Sequence, residues 1–122
     1  AGVDKKKAAA ELSAKAHAAL EDGDPDKALE YADESLKLRR TDKTLIERAR
    51  ALQRLDRIDE AIKSVDEATE IDPKAPAAWE ARALILWGAH RYDDAKQAMQ
   101  KYLELDPEGR SAESFHHLID SK

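Results

Sequence analysis

The stretch IDEAIKSVDEATEIDP at residues 58–73 is answered by YDDAKQAMQKYLELDP at residues 92–107. Ala61 and Ala95 head the same frame, an Ala followed after nine residues by Ile or Leu, then Asp and Pro, and the two frames lie 34 residues apart. Upstream the match continues, with Ala49 against Ala83 and Ala51-Leu52 against Ile85-Leu86. Small residues recurring at fixed points with such a period mark a stacked helical array, in which each unit covers the apolar face of the next. Arrays of this kind present extended grooves to other polypeptides.

Working outward, apolar residues fall at helical spacing on both sides of each frame. Ile58, Ala61, Ile62, Val65, Ala68 and Ile71 predict a helix over about 58–70, stopped at Asp72-Pro73 because a residue before proline avoids helical geometry. Tyr92, Ala95, Ala98, Met99, Tyr102 and Leu105 predict another over about 92–104, ended by Asp106-Pro107. Their partners are a helix over about 43–54, capped by Thr41 or Asp42 and carrying Leu45, Ala49 and Leu52, and one over about 75–88 with Trp79, Ala83, Leu86 and Trp87. Toward the N-terminus, helices over about 8–20 and 25–38 flank Asp22-Gly23-Asp24-Pro25. There Gly suits a left-handed position after one helix and Pro the first turn of the next. Asp56 stands where Gly23 stands one unit earlier. Residues 1–7 read as a frayed leader, with Asp4 a candidate N-cap, and a seventh segment over about 110–120 places Phe115, Leu118 and Ile119 on one face as a terminal cap. Connections this short make successive helices antiparallel neighbours.

Composition agrees. Charged residues reach 39% with few Gly and Pro, as expected of a helical protein with solvated outer faces. A net charge of -5 without a strongly basic patch argues against duplex nucleic acid as a general ligand. No window approaches the ~18 apolar residues of a membrane-crossing helix, so no membrane insertion is expected. The absence of cysteine removes disulfides and thiolate chemistry but does not discriminate between compartments. The opening Ala1-Gly2-Val3 lacks an initiator Met and reads as an excised piece, of a longer cytoplasmic or a membrane-attached protein, which leaves localisation open.

The pattern resembles the tetratricopeptide repeat, a helix-turn-helix unit of this length. Taking Pro76 as the first residue of the third unit, the resemblance places Trp79 at the large position of the first helix, Ala83 at its small position and His90 at the turn glycine. Tyr92, Ala95, Met99 and Pro107 follow on the second helix. The second unit supplies Leu45, Ala49, Leu52, Asp56, Ile58, Ala61, Val65, Ala68 and Pro73. The first supplies Leu12, Ala16, Ala19, Gly23, Ala28 and Ala32, but has Arg40 where the closing proline belongs and is one residue shorter. The resemblance implies an all-α, right-handed superhelix (an α-solenoid) in a single domain. Its units run over about 9–41, 42–75 and 76–109, with a capping helix over about 110–120. Tyr102 occupies a position that is usually small, which implies repacking against the last helix.

The resemblance also implies a concave wall built from the first helix of each unit. Carried over residue by residue, the wall takes Ala10, Ser13, His17, Leu20 and Glu21, then Lys43, Ile46, Arg50, Gln53 and Arg54, then Ala77, Glu80, Leu84, Trp87 and Gly88. Of these, Ser13, His17, Lys43, Ile46, Arg50, Gln53, Arg54, Leu84 and Trp87 are the candidate partner-binding residues. A basic middle with apolar ground at Leu84 and Trp87 suits a protein or peptide partner bearing acidic and apolar residues. Two readings stay open for several of them. Arg50 and Arg54 are groove cations or an ordinary solvated pair neutralised by nearby acids, and Trp87 is a guest anchor or core. Trp79 reads as packing, and Lys15, Arg48 and Arg82 as bridges between adjacent helices. Some members of the family grip chaperone C-termini with a carboxylate clamp of Lys, Asn and Arg. Its five places hold Ser13, His17, Glu47, Ala77 and Ala81 here, so a guest of that type is not expected.

Enzyme chemistry finds little support. Glycine-rich phosphate loops, His-Glu-x-x-His and Gly-x-Ser-x-Gly are all absent from the sequence. His116 and His117 are adjacent, so a helix turns them roughly 100° apart and they cannot chelate one ion. The acids of residues 21–26 lack a calcium-loop pattern and read as a turn. Neither cofactor nor metal is expected. The leading expectation is a non-enzymatic interaction module; the alternative is a scaffold whose repeats drive homo-oligomerisation.

Overall fold

The computed structural model describes residues 2–121. Seven helices follow one another: α1 (Gly2–Glu21), α2 (Pro25–Leu38), α3 (Asp42–Arg54), α4 (Ile58–Ile71), α5 (Pro76–Gly88), α6 (Tyr92–Leu105) and α7 (Ala112–Asp120). Among the described residues there is no strand, and no helix is long and apolar enough to cross a membrane. The helices pair as three antiparallel hairpins, each packed on the next, and α7 closes the stack on α6.

The turns inside the hairpins share one geometry. Gly23, Asp56 and His90 all adopt positive φ, at 78°, 60° and 63°. In each, the following amide reaches back five residues: Asp24 N–H to the Ala19 carbonyl, Arg57 N–H to Leu52 and Arg91 N–H to Leu86, at 2.8–2.9 Å. This Schellman closure satisfies carbonyls that the helix end would leave orphaned. The next helix starts at once. Asp24 accepts the Lys27 amide at 3.1 Å before Pro25, and Thr41 likewise accepts the Thr44 amide ahead of α3.

Each hairpin crosses at a pair of alanines, Ala16 with Ala28, Ala49 with Ala61 and Ala83 with Ala95, all fully buried. Small side chains there permit the short interaxial distances of well-packed helices. Leu45, Leu52, Val65, Ile85, Leu86, Met99 and Phe115 fill the space around them. The second and third hairpins, α7 and Leu36 of α2 share one core, and Ala19, Leu20, Ala28 and Ala51 form a smaller cluster where the first hairpin meets α3, with Leu29 packed against both. Equivalent ion pairs stitch neighbouring hairpins: Arg48 to Asp33 and Arg82 to Asp66, each at 2.8 Å. Lys15, the third residue of that register, lies 5.8 Å above the Tyr31 ring instead. Trp79 packs against the core, and its indole donates to the Pro73 carbonyl at 2.8 Å.

Two expectations need correction at the ends. Residues 2–7 are helical, not a frayed leader, and Asp4 lies inside the first turn of α1 and does not cap it. The run Lys5-Lys6-Lys7-Ala8-Ala9-Ala10 contains only good helix formers, and an acid in the first turn suits the positive end of the helix dipole. At the other end α7 begins at Ala112, after a turn through residues 106–111. Tyr102 does repack against α7, meeting Phe115 edge to face with ring centroids 5.1 Å apart. A Cβ at Gly109 would collide with the Tyr102 hydroxyl and the Asp106 carboxylate, so a larger residue there must displace those side chains.

The shared turn geometry yields a matched pair of substitutions. A Cβ at Gly23 meets nothing within 4 Å, so Gly23→Ala tests backbone strain alone and should cost about 1 kcal/mol. Asp56→Gly relieves the same strain and should raise stability by up to about 1 kcal/mol. Urea unfolding of both variants measures the two shifts, which should have opposite signs.

Candidate functional site: a groove along the odd-numbered helices

Among the described residues α1 contacts α3 and α3 contacts α5, while α2, α4 and α6 do not touch one another. The stack therefore curves toward the odd-numbered helices, which form its inner wall. Between α1 and α3 this wall opens into a cleft of about 600 Å³, with Ala10, Ser13 and Ala14 on one side and Lys43, Thr44 and Glu47 on the other.

The sequence-predicted residues fall into three groups. Ser13 and Ile46 are buried and form floor. Thr44 donates its hydroxyl hydrogen to Ser13 Oγ at 3.1 Å, tying the two helices together beneath the cleft. Lys43 and Leu84 are exposed, Leu84 with 48% of its surface in solvent. Trp87 is half-buried against the core and meets Tyr92 of α6 edge to face at 4.7 Å. Gln53 lies against Gly88, with its Nε2 3.4 Å from where a Cβ there would stand.

His17, Arg50 and Arg54 are engaged within the protein. The Arg54 guanidinium donates to the Leu20 carbonyl at the end of α1. His17 stands between Glu21, 2.7 Å from Nε2, and Glu47, 3.3 Å from Nδ1. Arg50 lies 3.9 Å from the same Glu47 carboxylate. The expectation of a basic middle is thereby corrected. Two carboxylates, Glu47 and Glu80, are buried there, so the charges alternate across the wall. Of the two readings of Arg50, the structure favours the one in which nearby acids neutralise it.

Glu80 anchors the far end. Arg110 grips its carboxylate with two hydrogen bonds, 2.8 and 3.2 Å long, and Ser111 donates a third from its hydroxyl. The Arg110 bonds hold the Glu80 pKa below the usual carboxylate range, against the opposing effect of burial; Ser111 and the charge of Arg50 add to the lowering. The turn before α7 is therefore latched to α5. Sequence reasoning placed Glu80 on the wall without singling it out, and missed Arg110 and Ser111. Their 30-residue separation leaves no local signal. It also missed Lys6 and Arg39, which line the cleft. The unbroken Lys-Ala run of α1 was the available clue to Lys6.

At the five clamp places, Ser13 is floor, His17 is paired, Glu47 and Ala81 are buried, and Ala77 is an exposed methyl group. A buried carboxylate now stands where the clamp requires a neutral amide.

Comparisons with known proteins agree with this architecture. The family model for the tetratricopeptide repeat matches residues 46–110, more than half of the chain, and the chain belongs to that family. The solved Arabidopsis OM64 TPR domain superposes with a TM-score of 0.86 at 23% identity, covering 94% of this chain and 96% of that one. The second TPR domain of human RPAP3, in complex with the HSP70 peptide SGPTIEEVD, gives 0.85 at 19% identity, with coverage of 97% and 99%. The TPR2B domain of yeast Sti1, in a complex with pHsp70, gives 0.85 at 24%, with coverage of 93% and 94%. At these identities the likeness is one of fold. No curated protein sequence matches the chain.

The Glu80 latch predicts an acid sensitivity. A carboxyl whose folded pKa is lowered contributes stability that is complete above its ordinary value of 4.5 and is lost as pH falls through the lowered value. Urea midpoints of the wild type should therefore drop below that range more steeply than those of Glu80→Gln. At neutral pH Glu80→Gln should cost about 1–3 kcal/mol, because Arg110 and Ser111 lose their charged acceptor.

Proposed function

We propose that the chain is a non-enzymatic protein-protein interaction module whose curved inner wall receives an extended segment of a partner. The observation that carries this is an open cleft between α1 and α3 on the same wall as exposed Leu84 and half-buried Trp87. Apolar ground bordered by charge is the usual anatomy of a polypeptide interface. The repeat division at about 9–41, 42–75 and 76–109 with a cap over 110–120 belongs to the same reading, since it assigns the inner wall to the first helix of each unit.

Within the groove, Ser13 and Ile46 act as floor, and Lys43, Leu84 and Trp87 meet the guest. His17, Arg50, Gln53 and Arg54 hold the wall and offer it their remaining hydrogen-bonding edges. The peptide complexes of the RPAP3 and Sti1 domains support a peptide guest for this fold. The clamp positions support a different guest from theirs, because Glu47 repels a carboxylate brought to the centre. Leu84→Asp tests the groove. With its side chain already half in solvent the fold should tolerate it, while binding of a guest selected from a random peptide library should weaken by roughly tenfold or more. Equal binding by Leu84→Asp and Trp87→Ala would put the guest elsewhere.

The alternative, a self-assembling scaffold, draws on the first hairpin, whose Ala-rich cluster is separate from the main core. Sedimentation over a hundredfold range of concentration distinguishes the two. An interaction module should stay a monomer throughout, and a reversible rise in mass would favour the scaffold.

A further inference from the structure

The rim of the α1/α3 cleft carries three exposed cations from three different elements: Lys6 of α1, Arg39 from the connection after α2, and Lys43 of α3. Among the described residues none of the three enters an ion pair; most of the other lysines are also unpaired, but these three line one cleft together. The chain as a whole is acidic, with a net charge of -5. Three uncommitted cations converging on one cleft of an acidic protein are therefore a local inversion of its charge. Between them lie Ala10, Ala14 and the Thr44–Ser13 hydroxyl pair, with the Glu47 carboxylate deeper in the cleft.

We propose that this rim holds acidic side chains of the guest, and that the guest's apolar anchor on Leu84 and Trp87 follows five or six residues away. This rests on the groove reading above and adds the placement of charge and the spacing. The spacing comes from helix geometry. Lys43 lies in the first turn of α3 and Gln53 near its end, ten residues along, or about 15 Å at 1.5 Å per residue. Gln53 touches Gly88, so the ends of α3 and α5 lie side by side, and Trp87 is one helix spacing of about 8–10 Å away. The diagonal is about 18 Å, which an extended chain covers in roughly five or six residues. The acids are internal and not a chain terminus. Glu47 at the depth of the cleft disfavours a carboxylate pushed inward, while the rim cations suit side chains passing over it.

The test uses acetylated, amidated peptides carrying Asp-Glu, a Ser/Asn spacer of two to ten residues, and Leu-Trp, titrated by fluorescence polarisation. Affinity should peak at a spacer near five or six residues and fall as salt rises. Lys6→Glu and Lys43→Glu, checked for helicity, should each weaken the best peptide by roughly tenfold. A peptide with the acids at a free C-terminus should bind no better than its amidated form. Binding that ignores spacer length and both reversals, or that requires a free terminus, overturns the proposal. If Leu84→Asp still abolishes that binding, the groove reading survives without the acidic rim. If no peptide of the series binds, or Leu84→Asp leaves binding unchanged, the groove reading falls with it.

Discussion

Close contact at the paired alanines is the constraint on which the rest of this molecule depends. At Ala16/Ala28, Ala49/Ala61 and Ala83/Ala95 the side chain is small enough for two helices to approach through their backbones, and all six are without solvent exposure. A larger residue would push one helix off its neighbour, and because each hairpin is the packing surface of the next, the displacement would spread along the stack. Curvature follows from the same contact. The odd-numbered helices touch across hairpins and the even-numbered ones do not, so regular stacking yields an inner wall without any separate device to shape it.

The wall's polar residues divide by what they hold. Glu47, Glu80, Arg50, Arg54 and His17 are occupied with one another, with Arg110 or with backbone. Burying a charge is costly unless a partner and hydrogen bonds accompany it, so the acids at the centre require their arginines. The exposed rim lysines carry no such obligation. Charge on this surface is thus partly structural and partly available, and the two are told apart by burial and by partners, not by residue type.

That distinction also marks the boundary of what the sequence made legible. The interior helix boundaries, the hairpins and the turn position shared by Gly23 and Asp56 are set by neighbours close in sequence or by the repeat itself, and could be read from a period and its punctuation. The turn place of His90 and the repacking of Tyr102 came from the family resemblance. Neutralisation of Arg50 by a nearby acid was one of two open readings, but the partners of Arg54 and Glu80 were not legible, since Arg54 reaches a carbonyl 34 residues away and Glu80 meets Arg110 at a separation of 30. No periodic pattern encodes which side chains pair across helices. The N-terminal turns of α1 differ from expectation for the opposite reason: the lysine run at residues 5–7 is a local signal that favours a helix, and nothing in it breaks one.

The early start of α1 matters for the wall as well as for helix bookkeeping. A first helix beginning near residue 8 would leave Lys6 outside the fold and open the cleft on one side. The observed helix carries Lys6 to the rim opposite Lys43. The cleft lies on the inner side of the first hairpin, against α3. Besides the Thr44–Ser13 hydroxyl contact, the His17–Glu47 pair and the Arg54 bond to the Leu20 carbonyl hold α1 to α3. On the proposed reading, a guest seated along α1 would stabilise the first repeat, by the linkage that favours any state a ligand prefers.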